Sequence, residues 1–274
     1  MKILILLDSE SYKHPPVMMG KMLAESTPAE VHVLVMVHKD GHLENAQAVA
    51  QQVKIDLGAT KSVISIEEGS PDVVIREAID HEGYQLIIVN AERILRLRKT
   101  LDIEPILIKQ SEISLLITQN TKPKIDRILL CTGCMENDYS LLEQAASLVS
   151  HLRASVTLLH VIAGSVPTMY TGLEQIDETV EELLQTDTSY ARYLRKGVEV
   201  FRRKEIESEV KIRRGIPLEE IVRETQLVNY DLVVIGSTHV NQGLKELLLG
   251  NLAVKIIDRV ELPVLVVGRR ELEP

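Results

Sequence analysis

The hydrophobic and polar positions along this chain follow two alternating rhythms. Short, nearly continuous apolar runs, such as VHVLVMV at 31–37 and DLVVIG at 231–236, are separated by longer stretches in which apolar residues recur every three or four positions. Continuous runs are the mark of strands covered on both faces, and the three-to-four spacing is that of amphipathic helices. This reading predicts strands near 2–7, 31–37, 61–66, 85–89 and 113–118, and again near 127–131, 155–162, 209–213, 231–235 and 262–267, with helices between them. Such alternation gives a parallel sheet with helices on both faces, an α/β fold.

The pattern also repeats. Residues 69–90, GSPDVVIREAIDHEGYQLIIVN, align without gaps to residues 215–236, GIPLEEIVRETQLVNYDLVVIG, with identities at Gly69/Gly215, Pro71/Pro217, Ile75/Ile221, Tyr84/Tyr230 and Leu86/Leu232. Both segments share one plan: a glycine, a proline in the first helical turn, an amphipathic helix and an apolar strand. KILILLD at 2–8 likewise resembles RILLCTG at 127–133, and ISLLIT at 113–118 resembles LPVLVV at 262–267. The offset is 127 − 2 = 125 at the first strand and 215 − 69 = 146 at the glycine, so the second copy is 21 residues longer. The excess is expected in AGSVPTMYTGLEQ, residues 163–175, and the helix after it. The polar run TQNTKPKID at 118–126 reads as a linker and divides the chain into domains 1–121 and 122–274. Each should hold a five-stranded parallel sheet. The two apolar last strands should pair with each other, which would protect both edges and make an intramolecular pseudo-dimer. A further homodimer is left open.

Composition narrows the function. With 274 residues, 45% of them hydrophobic, the chain can bury two ordinary cores. A net charge of −9 and a pI near 5.5 argue against nucleic acid and anionic membranes as partners. The opening MKILILLDSES reads as a buried strand rather than a leader, because the apolar run ends at Asp8 with no small-residue cleavage site after it. Two cysteines without a secretory signal point to a reducing cytoplasm. No Walker loop, G-x-S-x-G, H-E-x-x-H or S-G-G-x-D-S segment occurs, so a dedicated enzyme is not expected, and at most a weak ATPase.

Cys131 and Cys134 form a C-x-x-C in the CTGC stretch, just after a strand and just before a helix. Three readings compete: a thioredoxin-like dithiol, half a zinc site, and a coincidence in which Cys131 is buried at the strand end and Cys134 sits in the loop. Neither cysteine has a basic neighbour in sequence. Without a second Cys pair or an H-x3-H, zinc could be completed only across a homodimer. The coincidence is favoured, and a double Cys→Ser change is expected to leave stability and ligand behaviour intact. His38 and His42 flank a turn with Asp40 as the nearby carboxylate and read as loop residues. The run RILRLRKT, with Arg93, Arg96, Arg98 and Lys99, reads as the solvated face of a helix rather than an anion patch.

The segment DLVVIGSTHVNQGLKELLLGNLAVKIIDRVELPVLVVG resembles the last third of a universal stress protein domain, and the resemblance covers residues 127–268. The first half resembles the family through MKILILLDSES, the GSP segment and the closing strand. The resemblance implies two tandem Rossmann-like domains of the adenine-nucleotide alpha-hydrolase type. In the family's ATP-binding branch a loop of the form G-x2-G-x9-G-[ST] holds phosphates on backbone amides and a helix N-terminus. Here Gly236 takes the first position, His239 stands for the second glycine, ten residues separate it from Gly250, and Asn251 replaces Ser or Thr. Gly243 is the residue expected to absorb the extra position. The family's aspartate after the first strand is present as Asp8 in the first copy; the second has Thr132, Gly133 and Cys134 at that place. The first copy, with Asn90 to Pro105 for its loop, has no glycine there. ATP or AMP, with the Mg that accompanies ATP, is therefore expected only in the second copy. Phosphates would meet Gly236, Ser237, His239, Gly250, Asn251 and Leu252, and the base Thr132, Gly133 and Val161. His160 lies at the end of the strand beside the adenine in the family, although a histidine there more often fills core space. The resemblance implies a cytoplasmic stress-response or regulatory protein with unnamed protein partners. The alternatives are an interaction module that has lost nucleotide binding, and a weak ATPase or dithiol oxidoreductase.

Overall fold

The computed structural model describes residues 1–10, 15–37, 42–91, 113–122, 124–134, 139–163, 179–236 and 251–268. The first half gives β1 (Lys2–Asp8), α1 (Pro15–Ser26), β2 (Glu30–Val37), α2 (Leu43–Leu57), β3 (Ser62–Glu68), α3 (Pro71–Glu82), β4 (Leu86–Asn90) and β5 (Ser114–Thr118). The second gives β6 (Arg127–Thr132), α4 (Tyr139–Val149), β7 (Ser155–Ala163), α5 (Val180–Gln185), α6 (Ser189–Arg203), β8 (Ser208–Gly215), α7 (Pro217–Leu227), β9 (Leu232–Gly236), α8 (Asn251–Arg259) and β10 (Val264–Val267). Every strand lies within two residues of its expected range at either end.

All ten strands form one sheet in the order β3-β2-β1-β4-β5-β10-β9-β6-β7-β8. Within each half every pairing is parallel, and the halves meet through an antiparallel pairing of β5 with β10, Leu116 opposite Leu265. The expected pairing of the last strands is the one that forms. Because β5 and β10 run in opposite directions, the carboxyl ends of the two parallel sets point to opposite ends of the sheet.

Alternate residues of the strands feed two continuous cores. Ile3, Ile5, Ile128 and Leu130 face the layer of α1, α2, α4 and α6, whereas Leu4, Leu6, Leu129 and Cys131 face α3, α7 and α8. Each fully buried aliphatic side chain contributes about 1.5–3 kcal/mol. The repeat glycines have a backbone reason: Gly69 and Gly215 adopt φ values of +156° and +151°, where a side chain would be strained, at the bend between strand and helix.

The offset between copies locates the insertion. It is 155 − 30 = 125 from β2 to β7 and 208 − 62 = 146 from β3 to β8, so the extra 21 residues fall between β7 and β8. The helix expected after 163–175 is α5, started by a capping box in which Thr179 and Glu182 satisfy each other's backbone N–H groups. The linker is bolted to the second half. Asp231 accepts from Lys122 Nζ at 2.6 Å and from the backbone N–H groups of Asp126 and Arg127 at 2.9 and 3.0 Å. Gln119 Nε2 donates to the carbonyl of Leu262 at 2.8 Å. Among the described residues, no helix is long and apolar enough to cross a membrane.

Candidate functional site

In the second half, β6, β7 and β8 step outward in one direction and β9 lies on the other side of β6, so the strand order reverses between β6 and β9. Ligands of doubly wound sheets bind beyond the carboxyl ends of strands at such a reversal. A cavity of about 190 Å³ opens there. Thr132 and Gly133 enter it from the end of β6, Val161 from β7, Gly236 from β9, and Leu252 from the first turn of α8. Five of the residues expected from sequence thus line a single space. Ser237, His239 and Gly250 lie outside the described residues, as does Gly243, and Asn251 opens α8. In the first half, the run from Arg93 to Lys99, with His38 and Asp40, also falls outside the described residues, and His42 is the exposed residue before α2.

The loop after β6 is set by short hydrogen bonds. Thr132 Oγ1 accepts the Cys134 backbone N–H at 3.1 Å, a turn that a hydroxyl residue makes with the amide two positions on. It accompanies a left-handed Cys134, φ +52°, a conformation costing about 1–2 kcal/mol for a residue with a Cβ. The Thr132 carbonyl accepts from His160 Nδ1 at 3.1 Å, which fixes the proton on that nitrogen. The His160 ring stacks on Tyr190 of α6 at 5.4 Å and 19°. Burial lowers the proton affinity of His160 more than the Thr132 bond raises it, so the imidazole is neutral at pH 7.

The left-handed turn sends the second thiol inward. Cys131 joins the core on the α7–α8 side and Cys134 the core on the α4–α6 side, and both also line the cavity. Cys134 lies in the loop after β6, as expected from sequence, but its side chain is buried in the core. Burial, with a smaller contribution from Glu224, pushes the Cys131 thiol far up. Burial raises Cys134 to about 12 despite its bond with Thr132. Two neutral thiols are poor nucleophiles, which weighs against a dithiol role. Among the described residues, no group of three His, Cys, Asp or Glu could hold a metal.

Sequence reasoning missed the walls. Leu141 of α4, Tyr193 of α6 and Ile221 of α7 are apolar residues at helical spacing, indistinguishable in sequence from ordinary core. Tyr193 stacks on Tyr139 at 5.5 Å. The glycine at 236 answers to one of these walls: a Cβ there would come within 2.8 Å of Leu141 Cδ2. Also missed was the fastening of α7. Glu224, fully shielded from solvent, accepts from Lys211 Nζ and from Tyr230 OH at 2.9 Å and from Arg213 Nε at 2.9 Å. Lys211 and Arg213 share a face of β8, and this i, i+2 pairing on a strand was the available signal.

The sequence model of the universal stress protein family matches residues 124–268, more than half of the chain. The chain belongs to the universal stress protein family. A universal stress protein of Methanocaldococcus jannaschii is 26% identical over 157 residues, 57% of this chain and 90% of that relative. A Pseudomonas aeruginosa structure described as a universal stress protein is 20% identical, with a TM-score of 0.68 over 97% of this chain and 92% of its own. A universal stress protein from Archaeoglobus fulgidus matches with a TM-score of 0.63 and 18% identity over 97% of this chain and 96% of that one. Both structures span the two halves, so the tandem universal stress fold extends over the whole sheet.

Proposed function

We propose that this universal stress protein binds an adenine nucleotide, ATP or AMP, in its second half and acts as a cytoplasmic regulatory protein rather than as a dedicated enzyme. The observation that carries this reading is the cavity at the strand-order reversal, with α8 starting at its edge. The first backbone N–H groups of a helix lack partners within the helix and carry partial positive charge, which suits phosphates beside Gly236 and Leu252. The walls from Val161, Pro217 and Ile221 are apolar and suit a flat base. The two buried, unpaired thiols fit a reducing compartment.

Titration calorimetry of the purified full chain with ATP and AMP tests the reading. Saturable one-site binding supports it, and no heat with either nucleotide at millimolar concentration overturns it in favour of an interaction module acting through its surfaces.

A further inference from the structure

Gly133 lines the cavity, and neither its conformation nor its described neighbours require glycine there. Its backbone is not in the left-handed region, and a Cβ built on it would meet nothing within 4 Å. Gly236, at the neighbouring strand end, differs because Leu141 crowds it. A glycine required neither by conformation nor by packing leaves space to something outside the chain. Position 133 is also the counterpart of Asp8 (133 − 125 = 8), whose carboxylate at the end of β1 accepts the Glu10 backbone N–H at 3.2 Å.

The strand order says which part of a ligand meets that space. β6 lies between β9 and β7. A nucleotide with phosphates at Gly236 and the start of α8, and its base against Val161, must pass its sugar over the end of β6, directly at Gly133. A ribose is told from a deoxyribose when a carboxylate accepts hydrogen bonds from its hydroxyls. Among the described residues no carboxylate lines the cavity, and the side-chain oxygen nearest in sequence, Thr132 Oγ1, already accepts the Cys134 N–H.

We infer that the site is indifferent to the sugar: it takes 2′-deoxynucleotides as readily as ribonucleotides and admits a bulky group on the sugar hydroxyls. This inference rests on the nucleotide reading above. Among the described residues the 2′-hydroxyl finds no charged acceptor at Gly133, so removing it forfeits no charge-assisted bond there, and the open volume accommodates a substituent.

The test measures the dissociation constants of the full chain for ATP, dATP and 2′(3′)-O-methylanthraniloyl-ATP. Constants for ATP and dATP within about twofold, with the substituted analogue also bound, are expected. A tenfold preference for ATP over dATP, or exclusion of the analogue while ATP binds, overturns the inference and leaves the nucleotide reading standing. Failure of all three to bind overturns the nucleotide reading itself. Gly133→Asp supplies a second arm, since the backbone and the open space both admit a side chain. The variant should acquire a preference for ATP over dATP of about tenfold or more, the size of one hydrogen bond to a charged group. An unchanged ratio in a folded variant, judged by circular dichroism, would sink the assignment of sugar selectivity to position 133.

Discussion

The carboxylate of Glu224 and the ammonium of Lys211 lie 2.9 Å apart, and the carboxylate has no contact with solvent. Arg213 and the Tyr230 hydroxyl complete the shell, so the charge of Glu224 is compensated on both oxygens. The same helix places Pro217 and Ile221 in the cavity wall, two turns and one turn before Glu224 respectively. Removing the carboxylate leaves Lys211 and Arg213, both partly exposed, with the longer ion pairs to Glu209 at 3.6 Å and Glu220 at 3.5 Å, and takes the acceptor from the buried Tyr230 hydroxyl. Glu224→Ala should destabilise the protein by about 3 kcal/mol or more, read from chemical denaturation. Its counterpart in the first half is Ala78 (224 − 146 = 78), and the counterparts of Lys211 and Arg213 are Ser65 and Glu67, so the first copy carries neither the carboxylate nor the two cations. Combining Glu224→Ala with Lys211→Ser should therefore cost less than the sum of the two single changes.

Acid should weaken the protein through two carboxylates. Burial would raise the pKa of Asp231, but Lys122 and the backbone N–H groups of Asp126 and Arg127 outweigh it and hold it below the ordinary range. Glu224 is likewise held low, with burial opposed by Lys211, Arg213 and Tyr230. A depressed folded pKa means that the stabilisation is present above the unfolded value, about 4 for these groups, and is lost as pH falls through the folded values. The denaturation midpoint should be flat from pH 7 to about 5 and fall below about 4. Asp231→Asn should flatten part of that fall and cost about 1–3 kcal/mol at pH 7.

The thiols should be inert in the folded protein. Ellman's reagent at pH 8 should leave Cys131 and Cys134 unmodified until denaturant is added, because burial keeps both protonated. Burial also changes the expectation drawn from sequence for the double Cys→Ser variant. Each serine would place a hydroxyl in an apolar setting, so a loss of about 1–3 kcal/mol per site is expected rather than unaltered stability.

Leu252 is partly exposed at the first turn of α8 and lines the cavity. Leu252→Asp puts negative charge where an acidic residue suits the helix and repels a phosphate. The variant should keep its thermal midpoint within a few degrees and lose ATP binding in calorimetry. Retention of wild-type affinity would remove the phosphates from this helix end.

Separating the halves should expose the seam. Leu115, Leu116 and Ile117 of β5 and Val264, Leu265 and Val266 of β10 are all buried and face each other in register. Each half expressed alone should self-associate or precipitate, read by size-exclusion chromatography. Two monomeric halves would show that the pairing is dispensable.

The sheet was legible in the sequence because strands buried on both faces must be apolar at successive positions, while the edge strand SEVKIRRG, expected near 209–213, is mostly polar and extends two residues further, to Gly215. The strand-end members of the cavity, Thr132, Gly133, Val161 and Gly236, were expected from the resemblance to the family, and each lies at a strand end that the apolar pattern locates. Its helical walls were not. Leu141, Tyr193 and Ile221 obey the same 3.6-residue rhythm as residues packed only against the sheet, and which of them borders a void depends on how the helices tilt. Cys134 was hidden differently, since a left-handed cysteine has no sequence signature and only that turn directs its side chain into the core.

The antiparallel seam gives the molecule two unlike poles. The strand ends carrying Asp8 open on one pole and those carrying Gly133 on the other, with the length of the strands between the poles. The Asp8 end and the cavity therefore face away from each other, so whatever meets one is approached from the side opposite the other.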